Sequence, residues 1–240
     1  MRPHVVPAAI LGIAIVLAGV FLGAGFRTGR VADRFVTVKG LSEREVQADL
    51  ALWPLQIVTA DDDLPAAQGR MAQMVDLTKA FLASEGIFQE QVTIQSFKVT
   101  DARANPYQSG AVTRFIITQT LLVRSEDPAL LHAASQRVGN LVDAGVVLTS
   151  GQEYGPGGPT YLFTRLNDLK PEMLAEATAQ ARVAAEEFAM ASGSRVGKIR
   201  RASQGVFQIL PRDPAPGQEE GNQLFKTVRV VTTVEYLLEG

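Results

Sequence analysis

EVQADLALWPLQIVTA, residues Glu45 to Ala60, alternates apolar and polar side chains with a period of two, and that alternation decides that the chain is built on sheet. Val46, Ala48, Leu50 and Leu52 share one side of the strand, while Glu45, Gln47 and Asp49 share the other. Pro54 then interrupts and the apolar set moves to Leu55 and Ile57, which predicts a bulge or bend at the proline near a sheet edge. Upstream, Phe35 to Val38 reads as a short strand ending at Gly40.

Outward from this stretch, helices and strands alternate. Asp61, Asp62 and Asp63 precede Leu64 and Pro65, and Met71, Met74, Val75, Thr78 and Leu82 recur at helical spacing until Gly86. That is a helix with an aspartate cap, a proline in its first turn and a glycine stop. Val92, Ile94, Phe97 and Val99 mark a strand, Asn105 to Gly110 a turn, and Val112 to Arg124 the returning strand of a hairpin. Asp127 and Pro128 open a second helix that runs to about Val142. Gly145 to Thr149 suggests a short strand, and Gly151 to Pro159 a loop.

A strand from Thr160 to Leu166 then leads into a long helix, Leu169 to Ser192. Its stripe of Leu169, Met173, Ala177, Ala181, Ala184 and Phe188 is rich in alanine, which predicts close packing on a sheet. Ser194 to Leu210 is a strand region, Pro211 to Asn222 a loop, and Thr227 to Leu238 alternates cleanly. Strand, helix, strand, strand therefore occurs twice, at about 44–124 and about 160–238, with a helix between. The expected fold is α+β, with antiparallel sheets that carry helices on one face.

At the front, Val5 to Phe26 is apolar and free of charge. As a helix it would be about 33 Å long, enough for a hydrocarbon core of about 30 Å. Residues 1–30 are thus expected to be a membrane anchor with its linker, and 31–240 a soluble domain. A signal peptide has a shorter apolar region, of about 7–15 residues, but cleavage after Ala24 is the alternative. Both readings export the domain. Arg27, Arg30 and Arg34 beyond the run argue for the reverse orientation by charge bias, a rule weakened here by the very short N-terminal tail. Gly19 and Gly23 form a G-x-x-x-G pair through which two such helices could associate.

Composition bounds the function. The 240 residues are 46% hydrophobic and 20% charged, ample for a buried core. A formal net charge of −2 supplies no basic field for nucleic acid. The absence of cysteine excludes disulfides, thiolate nucleophiles, zinc–thiolate centres and acylated-cysteine anchors. No motif calls for a cofactor.

Candidate sites are sparse. Asp61 to Asp63 could ligate a hard cation, but their spacing lacks the alternation of a calcium loop and suits a helix cap. His4 and His132 lie too far apart in sequence for a local pair. Ser84, Ser96 and Ser203 have no nucleophile-elbow context. Arg195, Lys198, Arg200 and Arg201 form a basic cluster that suits either anionic headgroups or an acidic partner, or simply faces solvent. Trp53 is a candidate core or interface anchor. Asp49, Glu153 and Asp168 are the carboxylates an acid–base enzyme would draw on.

In its ordered segments the chain resembles the SIMPL domain family of exported bacterial proteins. The segments are Val36 to Gly40; Val46 to Ala51; Gly86 and Ile87 with Val92 to Ser96; Leu121 to Asp127; Ala175 to Gly197, where the helix runs into Ser192 to Lys198; and Val228 to Leu238. The resemblance implies a periplasmic or envelope location, paired α+β units and ring-like homo-oligomers. It carries over no catalytic motif. The leading expectation is a single-pass inner-membrane protein whose periplasmic domain assembles with copies of itself, in a scaffold or binding role without catalysis. An envelope enzyme and a ring-shaped channel are the alternatives.

Overall fold

The computed structural model describes residues 12–21, 34–104, 113–149 and 158–239. The fold is α+β, with two four-stranded sheets and helices. The chain divides into two compact units, one of residues 44–169 and 209–228, the other of residues 1–43, 170–208 and 229–240.

In the first of these units the sheet has the order β3-β4-β2-β5, formed by β2 (Leu50–Asp61), β3 (Val92–Asp101), β4 (Phe115–Ser125) and β5 (Thr160–Leu162). All its pairings are antiparallel. Odd-numbered residues of β2, from Ala51 through Trp53 and Leu55 to Ile57, point into the core with Ile117, Leu121 and Val123 of β4. Helix α2 (Leu64–Ser84) lays Ala67, Met71, Met74, Val75, Thr78 and Leu82 on that face. Asp63 caps it by accepting the Ala66 N–H at 3.2 Å, and Gly86 leaves it at φ 84°, where a glycine is needed. Helices α3 (Pro128–Gln136) and α4 (Gly139–Asp143) add Leu131, Ala134 and Leu141 to the same core.

Pro54 sits in an unbroken register with β4, not at a bulge. The Val58 N–H and the Gln56 carbonyl both bond residues 147–149 on the opposite edge, so the nitrogen of Pro54, on the same parity, also faces that edge. β5 ends opposite Leu52, and among the described residues no strand pairs with Pro54 on that side. The break in the alternation falls at Ala48 and Asp49, between the strand that ends at Gln47 and β2. Leu50 to Trp53 are all apolar, which hides the change of face in the sequence.

The other sheet has the order β1-β8-β6, with β7 (Gln208–Pro211) also on β8; its strands are β1 (Phe35–Gln47), β6 (Arg195–Gln204) and β8 (Phe225–Glu239). The Leu238 N–H donates to the Arg34 carbonyl and Arg229 pairs with Glu43, so β1 and β8 run in opposite senses. Helix α5 (Leu166–Ala191) buries Met173, Ala177, Ala181, Ala185 and Ala189. Ala181 and Ala185 pack with Val36, Val234 and Tyr236.

Gly40 does not end a strand; it lies inside β1 beneath α5. A β-carbon there would overlap the Ala177 carbonyl and come within 2.6 Å of the Ala181 nitrogen. The buried stripe keeps strict four-residue steps, which leaves Phe188 52% exposed, contrary to the expected stripe. The expected strand from Thr160 to Leu166 shrinks to β5, which joins β2, while the strand on the far side of β8 from β6 is β1.

Residues 12–21 form helix α1, exposed throughout. Among the described residues no helix is long and apolar enough to cross a membrane. The remainder of the run from Val5 to Phe26, with Gly23 and the cleavage point at Ala24, lies outside them, as do the turn from Asn105 to Gly110 and Glu153.

Gly40→Ala should destabilise by about 1–3 kcal/mol, because the atoms in its way are helix backbone and cannot swing aside. Gly69→Ala, inside α2 with open space around it, should stabilise by about 0.5–1 kcal/mol. Thermal unfolding followed by circular dichroism checks both; equal melting temperatures for the two variants would contradict the close approach.

Candidate functional site

Two of the terminal strands, β3 and β6, make unlike sheet edges. In β3 the apolar residues change parity between Ile94 and Phe97, and a bulge between Ile94 and Ser96 absorbs the change. Ile94 then stands opposite Leu121, Phe97 opposite Gln119 and Val99 opposite Ile117, all on the core face. The face runs past its cover here: Ile94 is 63% exposed, Phe97 49% and Val99 44%. Phe88, just ahead of the strand, is exposed as well. The paired strand order ends at β3, so one row of its backbone donors and acceptors faces outward.

β6 is the other edge. From Lys198 to Gln204 every residue is exposed, and two bulges interrupt its pairing with β8. Arg195, Lys198, Arg200 and Arg201 all lie on it and are exposed. The Arg200 guanidinium stacks 4.3 Å from the centre of the Phe35 ring.

Of the candidate carboxylates, Asp49 is engaged. Asp49 accepts the N–H of Thr164 at 2.9 Å, that of Arg165 at 3.0 Å, and the Thr164 hydroxyl at 2.9 Å; Arg165 Nε lies at 3.3 Å. Burial acts to raise its pKa, but these donors together hold it below the ordinary carboxylate value. A depressed pKa suits a permanent acceptor rather than a general acid. An open cleft of about 370 Å³ lies over it, and there Arg124 pairs with Glu126 as Arg165 does with Asp49. Asp168 lines a neighbouring cleft with Arg165 and Phe163.

Asp63 is the cap of α2, Asp61 pairs with Arg70, and Asp62 accepts from Arg103 and from the Arg114 N–H. The aspartate run thus closes a corner of the fold. His132 Nδ1 lies 2.7 Å from the hydroxyl of Tyr161, a tie between α3 and β5. Burial pushes that phenol up from its usual pKa, opposed by a bond with Ser135. Ser84 and Ser96 bond the Phe81 carbonyl and the Thr120 hydroxyl. Trp53 is a core residue, 2% exposed, which leaves it almost no surface for a partner. Gly19 lies in α1 with open space around it.

Two features escape sequence reading. Lys226 is fully buried, with its ammonium on the carbonyl and carboxylate of Glu220; alternation in β8 would have placed it inward, but its charge argued otherwise. The exposed apolar edge of β3 carried a signal in the uneven spacing of Ile94 and Phe97.

Among known proteins, the family model described as SIMPL, protein of unknown function, matches residues 36–236. No curated protein matches the chain. A solved structure titled as the crystal structure of a hydrolase from Listeria innocua aligns over 82% of this chain and 92% of its own, at 10% identity and a TM-score of 0.22. At that level it carries no argument about fold or activity.

Removing the Asp49 carboxylate leaves Thr164 and Arg165 donors without an acceptor, so Asp49→Ala should cost about 1–3 kcal/mol at neutral pH. Because the folded pKa is depressed, the contribution of the carboxylate is present above about pH 4 and disappears as the pH falls through the lower folded value. Melting temperatures measured from pH 7 to pH 2 should therefore fall less steeply for Asp49→Asn than for the wild type. Parallel acid branches would remove this role from Asp49.

Proposed function

This chain belongs to the SIMPL family, and from that premise we propose that it is a membrane-tethered protein of the bacterial envelope whose periplasmic domain assembles with copies of itself, as a scaffold or binding surface and not as an enzyme. The two sheets are read as an architectural repeat of strand, helix and two strands. The tether is the apolar run from Val5 to Phe26, of which residues 12–21 are helical.

One observation supports assembly most strongly: the exposed edge of β3, where Ile94, Phe97 and Val99 continue an apolar sheet face into solvent. A free edge of this kind recruits a further strand, and apolar neighbours on the same face make recruitment favourable. The second edge, β6, is unsuited to pairing with its own copy, because four cationic side chains would meet four more. Assembly is assigned to β3, the terminal strand whose apolar face is exposed.

Multi-angle light scattering on the full-length protein in detergent should give a protein mass several times that of one 25.8 kDa chain. Ile94→Lys combined with Phe97→Lys should lower it toward the monomer while leaving the circular dichroism unchanged, since both residues are exposed. A wild type that stays monomeric across concentration refutes assembly; a double variant of unchanged mass moves it away from β3.

A further inference from the structure

We propose that the start of β6 is an electrostatic docking strip for anionic phospholipid headgroups, which lays one end of its sheet on the membrane surface. The inference rests on the tether reading and adds a second contact with the same membrane.

The geometry begins with where the chain enters the sheet. The Arg34 carbonyl takes the Leu238 N–H at 2.8 Å, which places the beginning of β1 beside the end of β8. On the other side of β8, Arg195 stands opposite Glu239, Val196 opposite Leu238 and Arg201 opposite Glu235. The entry point and the basic half of β6 therefore occupy the same end of one sheet. Arg200 makes the juxtaposition direct by stacking on Phe35, the first residue of β1.

Chain length keeps this end close to the bilayer. Between Phe26, where the apolar run stops, and Phe35 lie eight residues, hence nine Cα–Cα steps, which reach at most about 32 Å when fully extended. The carboxylates nearby are Glu235 and Glu239 across the strand and Glu186, which shares a cleft with Arg195 and bonds Arg182. Among the described residues none of these forms an ion pair with Arg195, Lys198, Arg200 or Arg201, and β6 itself contains no acidic residue. Basic side chains held within a Debye length of an anionic surface are attracted to it, and the attraction accumulates along a strip.

The chain has no cysteine, so Ser203→Cys, on exposed β6, accepts a single environment-sensitive fluorophore in the full-length protein. The labelled protein is reconstituted in vesicles of phosphatidylcholine alone, or with about one third phosphatidylglycerol, each carrying a trace of headgroup nitroxide quencher. Quenching is expected with phosphatidylglycerol and not without it, and it should disappear in molar salt, where screening shrinks to about 3 Å. Each change of Arg195, Lys198, Arg200 or Arg201 to Gln should lower the ratio of docked to undocked domain by about five-fold.

Flotation of the same vesicles separates the two readings. Protein that does not float with phosphatidylcholine refutes the tether. Protein that floats with both lipids but stays unquenched refutes the docking strip alone. Quenching indifferent to lipid charge, or quenching that follows protein concentration, also overturns it, the second outcome assigning β6 to a protein contact.

Discussion

The contact between α5 and β1 at Gly40 sets the terms for its unit. A helix normally stands off a sheet by the length of the side chains between them, and here that layer is reduced to alanine methyl groups on one side and nothing on the other. The apolar area contributed by the alanines is small, so the gain comes from the number of atoms brought into van der Waals range rather than from bulky side chains. Larger residues flank the contact where the surfaces diverge: Val36, Val234 and Tyr236 fill the space beside Ala181 and Ala185. Four-residue steps follow, because each alanine from Ala177 to Ala189 must fall on the line of closest approach, and the larger Met173 keeps the step only before the contact at Gly40 begins. Phe188 lies off the line and is exposed.

That arrangement decides which features could be read from the sequence. The alanine excess announced a close helix–sheet contact, but its partner was misread, because a glycine that ends a strand and a glycine that admits a helix look alike without the helix. The same ambiguity operates at Pro54, where the missing N–H marks an edge in either case and only the pairing of residues 56–58 tells which one. Caps were legible because they are local: Asp63 and Asp127 each bond backbone within three residues. The partnership of β1 with β8 was not, since it joins strands nearly two hundred residues apart in a chain whose nearer strand, β5, seemed to fill the place.

For the candidate sites the dividing line was again locality. The basic cluster could be listed from its four residues, yet its meaning depends on the register of β6 with β8 and of β8 with β1, which brings it to the point where the chain enters the sheet. The apolar edge of β3 was present in the spacing of Ile94 and Phe97, but exposure is a property of what fails to cover a face. Trp53 illustrates the opposite case, since an aromatic residue in an alternating strand faces inward or outward according to a register that the apolar run from Leu50 to Trp53 conceals.

Charge sets the carboxylates apart from the basic edge. Asp49, Asp61, Asp62 and Asp63 each accept bonds from nearby backbone or arginine donors, and Glu85 is held low in its pKa by the Arg137 guanidinium that bridges α2 to the turn after α3. Asp49 and Glu85, whose pKa values their donors hold down, gain stability from staying ionised, as suits permanent acceptors. Among the described residues the cations of β6 have no such engagement with carboxylates, and Arg200 turns to an aromatic ring instead. That row of bases forms no ion pair among the described residues, so an anionic surface outside the chain is what the proposed docking calls on for counter-charge. The nearest anionic surface that the tether reading supplies is the bilayer itself.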